Sequence, residues 1–451
     1  MRVRRFPREA RAGKPKDGPI RAAEVLSMTD TAASRPETSA KSLAGITVLD
    51  LTRVLAGPSA TQLLGDLGAR VIKVERPGSG DDTRAWGPPF VPDETGAPSD
   101  LSAYFLAANR NKSSIVLDIT TPAGVEIVRA LAAKADVVVE NYKPGDLARR
   151  GLGYEDLRAI KPDLVWCSIT GFGHDGPYAE RIGYDFLVQA MGGIMSITGE
   201  PDGEPMKVGV GISDLMCGMY ASVGILAALR HRDATGEGQF LEVSLYDTQI
   251  SWLVNAATNT LVSGKAPRRL GNRHPNIAPY QTYRAADGHL VVAVGNDGQF
   301  RRFCAALEAP ELASDPRFAT NAGRLEHLDA LNAALDPIVA RADVATWVAR
   351  LERAQVPAGP VASVPEALSD PHTRAREMVI EMPSPIVDGE TLRLLGNPLK
   401  LRATPASYDK APPRLGADRD TVLAEVLGLD PASIVDLAAR GAFGAEVGPG
   451  D

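Results

Sequence analysis

The feature that most constrains this chain is a regular alternation of short apolar runs with helical stretches, beginning at Leu43. Residues 46–51 form a short apolar run. Gly57-Pro58 then opens a helix to about Leu67, with proline in the first turn, where its missing N–H costs nothing. Gly68 stops that helix, and residues 70–75 read as the next strand. Further strands are predicted over 114–119, 136–140, 164–169 and 239–245, with a helix from Thr121-Pro122 to Ala135. Val137-Val138-Val139 is apolar on both faces, as a strand inside a covered parallel sheet must be. Short helices are expected over 144–152 and 154–160. Such strand–helix–strand repeats predict an α/β fold around a parallel sheet.

The rest of the chain changes character. Residues 215–229 read as a helix apolar nearly all round, which suggests burial on every side. The longest apolar run, 218–229, falls short of a membrane span. A further helix is expected from about Thr248 to Leu261. Residues 264–279 are rich in Arg, Gly, Pro and Asn and read as a linker or mobile loop. Two strands, 280–284 and 289–294, flank Ala-Ala-Asp-Gly as a hairpin, and amphipathic helices follow to about Ala354. Antiparallel strands within 383–402 turn at Asp388-Gly389, and helices are expected over 420–427 and 431–440. The domain organisation is therefore read as a large α/β unit begun by 42–247, a helical linker and loop over 248–279, a small α/β domain over 280–375, and a return segment over 376–451 that completes the large unit. Residues 1–41 lack hydrophobic periodicity and are set aside as a disordered tail, or as a start placed too early, with Met28 the true initiator.

Composition and motifs exclude several classes. A net charge of −7 argues against a nucleic-acid binder, which needs a basic surface. Cys167, Cys217 and Cys304 are far apart and odd in number, so neither a disulfide framework nor a thiolate metal site is expected. They read as small buried hydrophobes in a reducing compartment. No secretory signal is visible, and a cytoplasmic location is expected. The six histidines show no HxH or HExxH spacing, so no metal is expected. There is no GxGxxG after the first strand and no phosphate-binding GxxxxGK, so no NAD site is expected; a GxSxG elbow is also missing. Two aspartates remain. Asp185 follows the glycine-rich stretch 171–177 and opens a helix, and Asp214 precedes another. On the residues alone, the ordinary reading of each is a helix N-cap.

Several motifs together resemble one family. Val48-Leu49-Asp50-Leu51-Thr52-Arg53-Val54-Leu55-Ala56-Gly57-Pro58 resembles the N-terminal signature of the class III CoA-transferases, the CaiB/BaiF family. So do Gly68-Ala69-Arg70-Val71-Ile72-Lys73-Val74-Glu75, Asn109-Arg110-Asn111-Lys112, Asp136-Val137-Val138-Val139-Glu140-Asn141 and Gly236-Glu237-Gly238-Gln239. The similarity runs in order from about Leu43 to the C-terminus. It implies a Rossmann-like large domain plus a smaller α/β domain, in an interlocked, ring-like homodimer without a stable monomer. It implies coenzyme A and acyl-CoA as substrates, carboxylates as the other partners, and neither nucleic acid nor membrane as partner.

By the same resemblance, Asp185 is the catalytic nucleophile. An aspartate carboxylate is ionised near neutral pH and needs no general base to attack a thioester. CoA thiolate leaves and a mixed anhydride forms. An acceptor carboxylate then displaces the first acid, and the returning thiolate makes the new thioester. Backbone N–H groups around the glycine-rich turn are suited to the oxyanions. Leu55 and Ala56 are implied near adenine and pantetheine, Arg76 and Lys112 at phosphates, and Asn141, Tyr142 and Arg149 as further CoA contacts. Leu55 departs from the glutamine or glutamate of other members. The racemase branch carries a histidine where this chain has Tyr184, so a two-base racemase lacks one base here, while Asp214 is retained. Residues 193–211, Pro279-Tyr280-Gln281 and 295–300 resemble the succinyl-CoA:dicarboxylate, glutarate-type branch, with Arg273 or His274 as candidates for a distal carboxylate.

Overall fold

The computed structural model describes residues 41–387 and 389–444. The reading of 1–41 as a tail, Asp388 in the predicted turn and the last seven residues therefore lie outside the described residues, Lys41 excepted.

Six strands form the central sheet: β1 (Thr47–Leu51), β2 (Arg70–Glu75), β3 (Lys112–Val116), β4 (Val137–Glu140), β5 (Val165–Thr170) and β6 (Phe240–Ser244). Their order is β3-β2-β1-β4-β5-β6, and every neighbouring pair is parallel. The chain builds outward from β1 in one direction, then crosses over and builds in the other. The order thus reverses between β1 and β4, where Val48 faces Val137 in register. Both faces are covered, which is why apolar side chains point to both sides of the sheet. On one face Val48, Val71, Val139 and Cys167 pack with α1 (Ala56–Asp66) and α4 (Ile212–Thr235). On the other, Leu49, Ile72, Val138 and Trp166 pack with Ile127 and Leu131 of α2 (Pro122–Ala132).

That second face is closed by the end of the chain. Val422 and Leu423 of the helix Arg419–Leu427, and Ile434 and Leu437 of the helix Pro431–Ala439, lie in the same apolar cluster as Leu49. The connecting strap is tied down by hydrogen bonds: Ser114 N–H donates to Asp418 Oδ2 at 2.9 Å, and Asn397 Nδ2 donates to Asp66 Oδ2 at 2.9 Å. A separate core forms around a three-stranded antiparallel sheet of Tyr280–Arg284, His289–Ala293 and Ala358–Pro360, filled by Phe300, Phe303, Leu331 and Trp347.

Several expectations need correction. Helix α4 is longer than predicted, 24 residues, and is long and apolar enough to cross a bilayer by length and composition. Half of its apolar window is buried in protein instead. Nor is it buried all round: Met219, Tyr220 and Val223 on its outer side are 43%, 46% and 60% exposed. Its inner side lies so close to α1 that a Cβ on Gly218 would stand 2.6 Å from the Ala56 carbonyl oxygen. The helix expected over 248–261 is two helices, Leu245–Ser251 and Val254–Ser263. The 144–152 helix is only a single tight turn, Ala148–Arg150. Strand β3 starts at Lys112, two residues before the predicted start, because that lysine's charge is matched inside the protein. The last hairpin pairs Val379–Pro383 with Thr391–Leu395.

Candidate active site

In an open α/β sheet, ligands bind beyond the carboxyl ends of the strands where the strand order reverses. A cavity of about 270 Å³ lies there. Its wall includes Arg53 to Ala56 after β1, Asn141 and Tyr142 after β4, Thr170 at the end of β5 and Gly171 after it. The turn after β1 has no glycine-rich loop, and side chains hold it. Asn141 accepts from the Arg53 N–H at 3.1 Å and donates to the Arg53 carbonyl at 2.7 Å. Val54 sits at φ 74°, a left-handed conformation costly for a β-branched residue, and its N–H donates to Asp81 Oδ1 at 3.1 Å.

Buried charges underpin this turn. Asp50 accepts from the Thr52 N–H at 2.9 Å, Thr61 Oγ1 at 2.6 Å and Lys112 Nζ at 3.1 Å. Lys73 Nζ donates to Asp81 Oδ2 at 2.8 Å and to the Thr52 carbonyl at 2.9 Å. Burial alone would push the Asp50 carboxyl up, but the Lys112 and Lys73 ammoniums and the two threonine hydroxyls hold it at about 2. Burial draws Lys112 down to about 8, with Asp50 opposing. Both therefore remain ionised at neutral pH.

The nucleophile candidate is placed by a backbone crossing. A Cβ on Gly183 would stand 2.4 Å from Gly171 Cα, and one on Gly171 2.5 Å from Gly183 Cα. Only two glycines let the exit of β5 and the approach to Tyr184-Asp185 touch main chain to main chain. Asp185 is the first residue of α3 (Asp185–Met191), and Tyr184 occupies the cap position without a side-chain cap. Asp185 therefore does not cap its own helix. It turns to the start of α4, where Gly211 offers no cap. Asp185 Oδ1 accepts from the Ser213 N–H at 2.7 Å and the Asp214 N–H at 3.3 Å, and Oδ2 accepts from Gln189 Nε2 at 2.7 Å. The positive end of a 24-residue helix thus faces this carboxylate. Val208 N–H donates to Gln189 Oε1 at 2.8 Å, which fixes the amide with its NH2 toward Asp185. Asp185 itself is not in the cavity wall, but its neighbours Tyr184 and Asp214 are; burial followed by the Asp185 charge pushes the Asp214 carboxyl up to about 7.

Residues 43–419 match the family model described as CoA-transferase family III. The chain belongs to CoA-transferase family III. It is 47% identical to the succinate–glutarate CoA-transferase of Agrobacterium fabrum over 400 residues, 88% of this chain and 98% of that protein. It is 44% identical to the mouse succinyl-CoA:glutarate CoA-transferase over 403 residues, 89% of this chain and 90% of that protein. A crystal structure of a CaiB/BaiF family protein from Brucella suis superposes with a TM-score of 0.77 at 47% identity, covering 85% of this chain and 99% of that one.

Within this CoA-transferase the residues singled out in the sequence are distributed unevenly. Leu55, Ala56, Asn141 and Tyr142 line the cavity. Arg76 lines a neighbouring hollow of about 210 Å³ with Arg53, Tyr142 and Arg150, and pairs with Asp82 at 2.5 Å. Arg149 lines neither; it is exposed and paired with Asp146. Lys112 has no exposed surface, and its ammonium is spent on Asp50, the Pro58 carbonyl and Asn109. It offers nothing to a phosphate in this conformation. Arg273 lies 3.5 Å from Asp329, and His274 Nδ1 accepts from the Asn276 N–H at 3.1 Å; neither lines the cavity. The three cysteines are buried and unpaired. Among the described residues, no cluster of three His, Cys, Asp or Glu side chains could hold a metal ion. Sequence reasoning missed Gln189, although its spacing of four from Asp185 on a helix was a usable signal. It also missed Arg53, Arg150 and Arg181.

Proposed function

We propose that this transferase moves CoA from succinyl-CoA to a dicarboxylate of the glutarate class through an acyl anhydride on Asp185. The observation that carries the reading is the Asp185 carboxylate, held by three donors next to Tyr184 and in contact with Asp214, both of which line the switch-point cavity. The names of the two relatives supply the substrate class. Attack by Asp185 expels CoA thiolate; the acceptor carboxylate displaces succinate, and the thiolate returns to the new anhydride. The thioester's energy is retained, so ATP is not needed. The pantetheine arm runs past Leu55 and Ala56, Asn141 and Tyr142 add contacts, and Arg53, Arg76 and Arg150 meet the phosphates. Arg273 or His274 takes the distal carboxylate.

The test is exchange: succinyl-CoA is offered with single mono- and dicarboxylates, and new acyl-CoA is read by mass spectrometry. Exchange with dicarboxylates supports the reading, and no exchange with any acid removes it. In the same assay, an Arg273→Ala variant with unchanged KM for the dicarboxylate would reject Arg273.

The reading includes an interlocked homodimer working in the cytoplasm, with the domain boundaries given above. Its support is exposed apolar surface: Tyr184 and Phe186, beside Asp185, are 59% and 60% exposed, and Met219, Tyr220 and Val223 on the outer side of α4 are exposed as well. A second copy covers such a surface. Light scattering at micromolar concentration is expected to give twice the chain mass, and a stable monomer would refute it.

A further inference from the structure

Asp214 has a place in the site that the reaction as written does not use. It lines the cavity, its carboxyl finds no hydrogen-bond or cation partner among the described residues, and its N–H lies 3.3 Å from Asp185 Oδ1. The groups facing it are Asp185 from α3, the Tyr104 phenol and the Cys217 thiol. The charged groups on the same cavity wall are Arg53, Asp82, Lys143 and Arg181, with the phenols of Tyr142 and Tyr184.

We infer that Asp214 is the proton carrier of the transfer: its carboxyl protonates the departing CoA sulfur and takes the same proton back when that sulfur returns. The inference rests on Asp185 being the nucleophile. Before reaction, poor hydration and the neighbouring Asp185 charge raise the Asp214 carboxyl to about 7, so about half of it carries a proton at neutral pH. When an Asp185 oxygen gives its electron pair to the acyl carbon, the C–O bond forms and the C–S bond breaks. Sulfur leaves with that bond's pair. Asp185 loses its charge at that moment, so one of the two causes that hold the proton on Asp214 disappears as a stronger base arrives. A thiolate whose conjugate thiol has ordinary acidity, near about 8.5, accepts that proton downhill. In the last step the Asp214 carboxylate removes the thiol proton as sulfur attacks the acceptor's anhydride, and Asp185 regains its charge. The cycle consumes no proton. A carboxyl with a pKa near the working pH suits both directions.

The test is the pH profile of kcat from about pH 5.5 to 9 for the native enzyme, Asp214→Asn and Asp214→Glu. The native enzyme is expected to lose kcat above about pH 7, as Asp214 deprotonates. Asp214→Asn is expected to lose kcat about 10²-fold at pH 7, to keep KM for the donor within about threefold, and to lack that alkaline limb. Asp214→Glu restores part of the rate and the limb. Asp214→Asn with kcat within about threefold of native, or with a lowered kcat but an unchanged limb, overturns the proposal. A native enzyme that exchanges no CoA removes the Asp185 reading itself; native exchange beside an unaffected Asp214→Asn removes Asp214 alone.

Discussion

Replacing Asp185 with alanine is expected to lower CoA exchange by about 10³-fold or more while CoA-ester binding survives. The group lost is the one that forms the covalent bond. Water can attack a thioester, but it makes free acid rather than a new CoA ester, so no other route restores exchange. The residues lining the ester's path, Leu55, Ala56, Asn141 and Tyr142, are untouched by the change. The Ser213 and Asp214 N–H groups and Gln189 Nε2 lose their acceptor, which costs about 1 kcal/mol, as for a lost helix cap. That is too little to unfold a protein of ordinary stability. Exchange is read by mass spectrometry and donor affinity by calorimetry. Exchange within about tenfold of native would show that Asp185 is not the nucleophile. A variant that neither exchanges nor binds calls for Asp185→Asn, which keeps the shape of the carboxylate.

Gly183→Ala should cost about 10²-fold in kcat with the chain still folded. A Cβ there meets Gly171 Cα at 2.4 Å, well inside contact distance, and the obstacle is main chain rather than a side chain that can swing away. The two segments must part by about 1 Å, and residue 183 is only two residues of chain away from the nucleophile. Misplacing a reacting group by that much costs about 10²-fold. Gly209→Ala is the matched control, since a Cβ there meets nothing within 4 Å. Loss of kcat in the first and not the second is expected. Equal, near-native rates in both would mean that the glycine crossing does not set the position of Asp185.

The sheet was legible because Val137-Val138-Val139 has no polar side chain to leave in water, and that happens only under cover on both faces. The edge strand β3 was read two residues short for the converse reason. Hydropathy places a lysine outside, whereas Lys112 is inside on a carboxylate 62 positions earlier in the chain. The same blindness made Lys112 a phosphate ligand in the reading and left Asp50 unremarked. Asp185 was marked by resemblance; its residues alone suggested a cap. The structure agrees that it caps, but it caps the helix that starts at Ile212. No local rule joins positions 28 apart. For α4, composition gave the length of the apolar stripe poorly and its burial wrongly, because small residues face α1 while large ones face outward.

The strap that returns from the C-terminus sets the order in which the molecule can be made. Leu49 and Val138 leave the ribosome early, yet the apolar wall that covers them includes Leu423 and Leu437, among the last side chains to emerge. Until then, α2 covers only part of that side of the nascent sheet, and Ser114 and Asp66 lack the tethers supplied by Asp418 and Asn397. Contacts that span most of a chain form slowly and leave half-built intermediates exposed to aggregation. Synthesis halted before the last two helices would therefore yield a sticky, unfinished sheet rather than a shorter enzyme, and a tag or fusion is better borne at the N-terminus than in place of these helices.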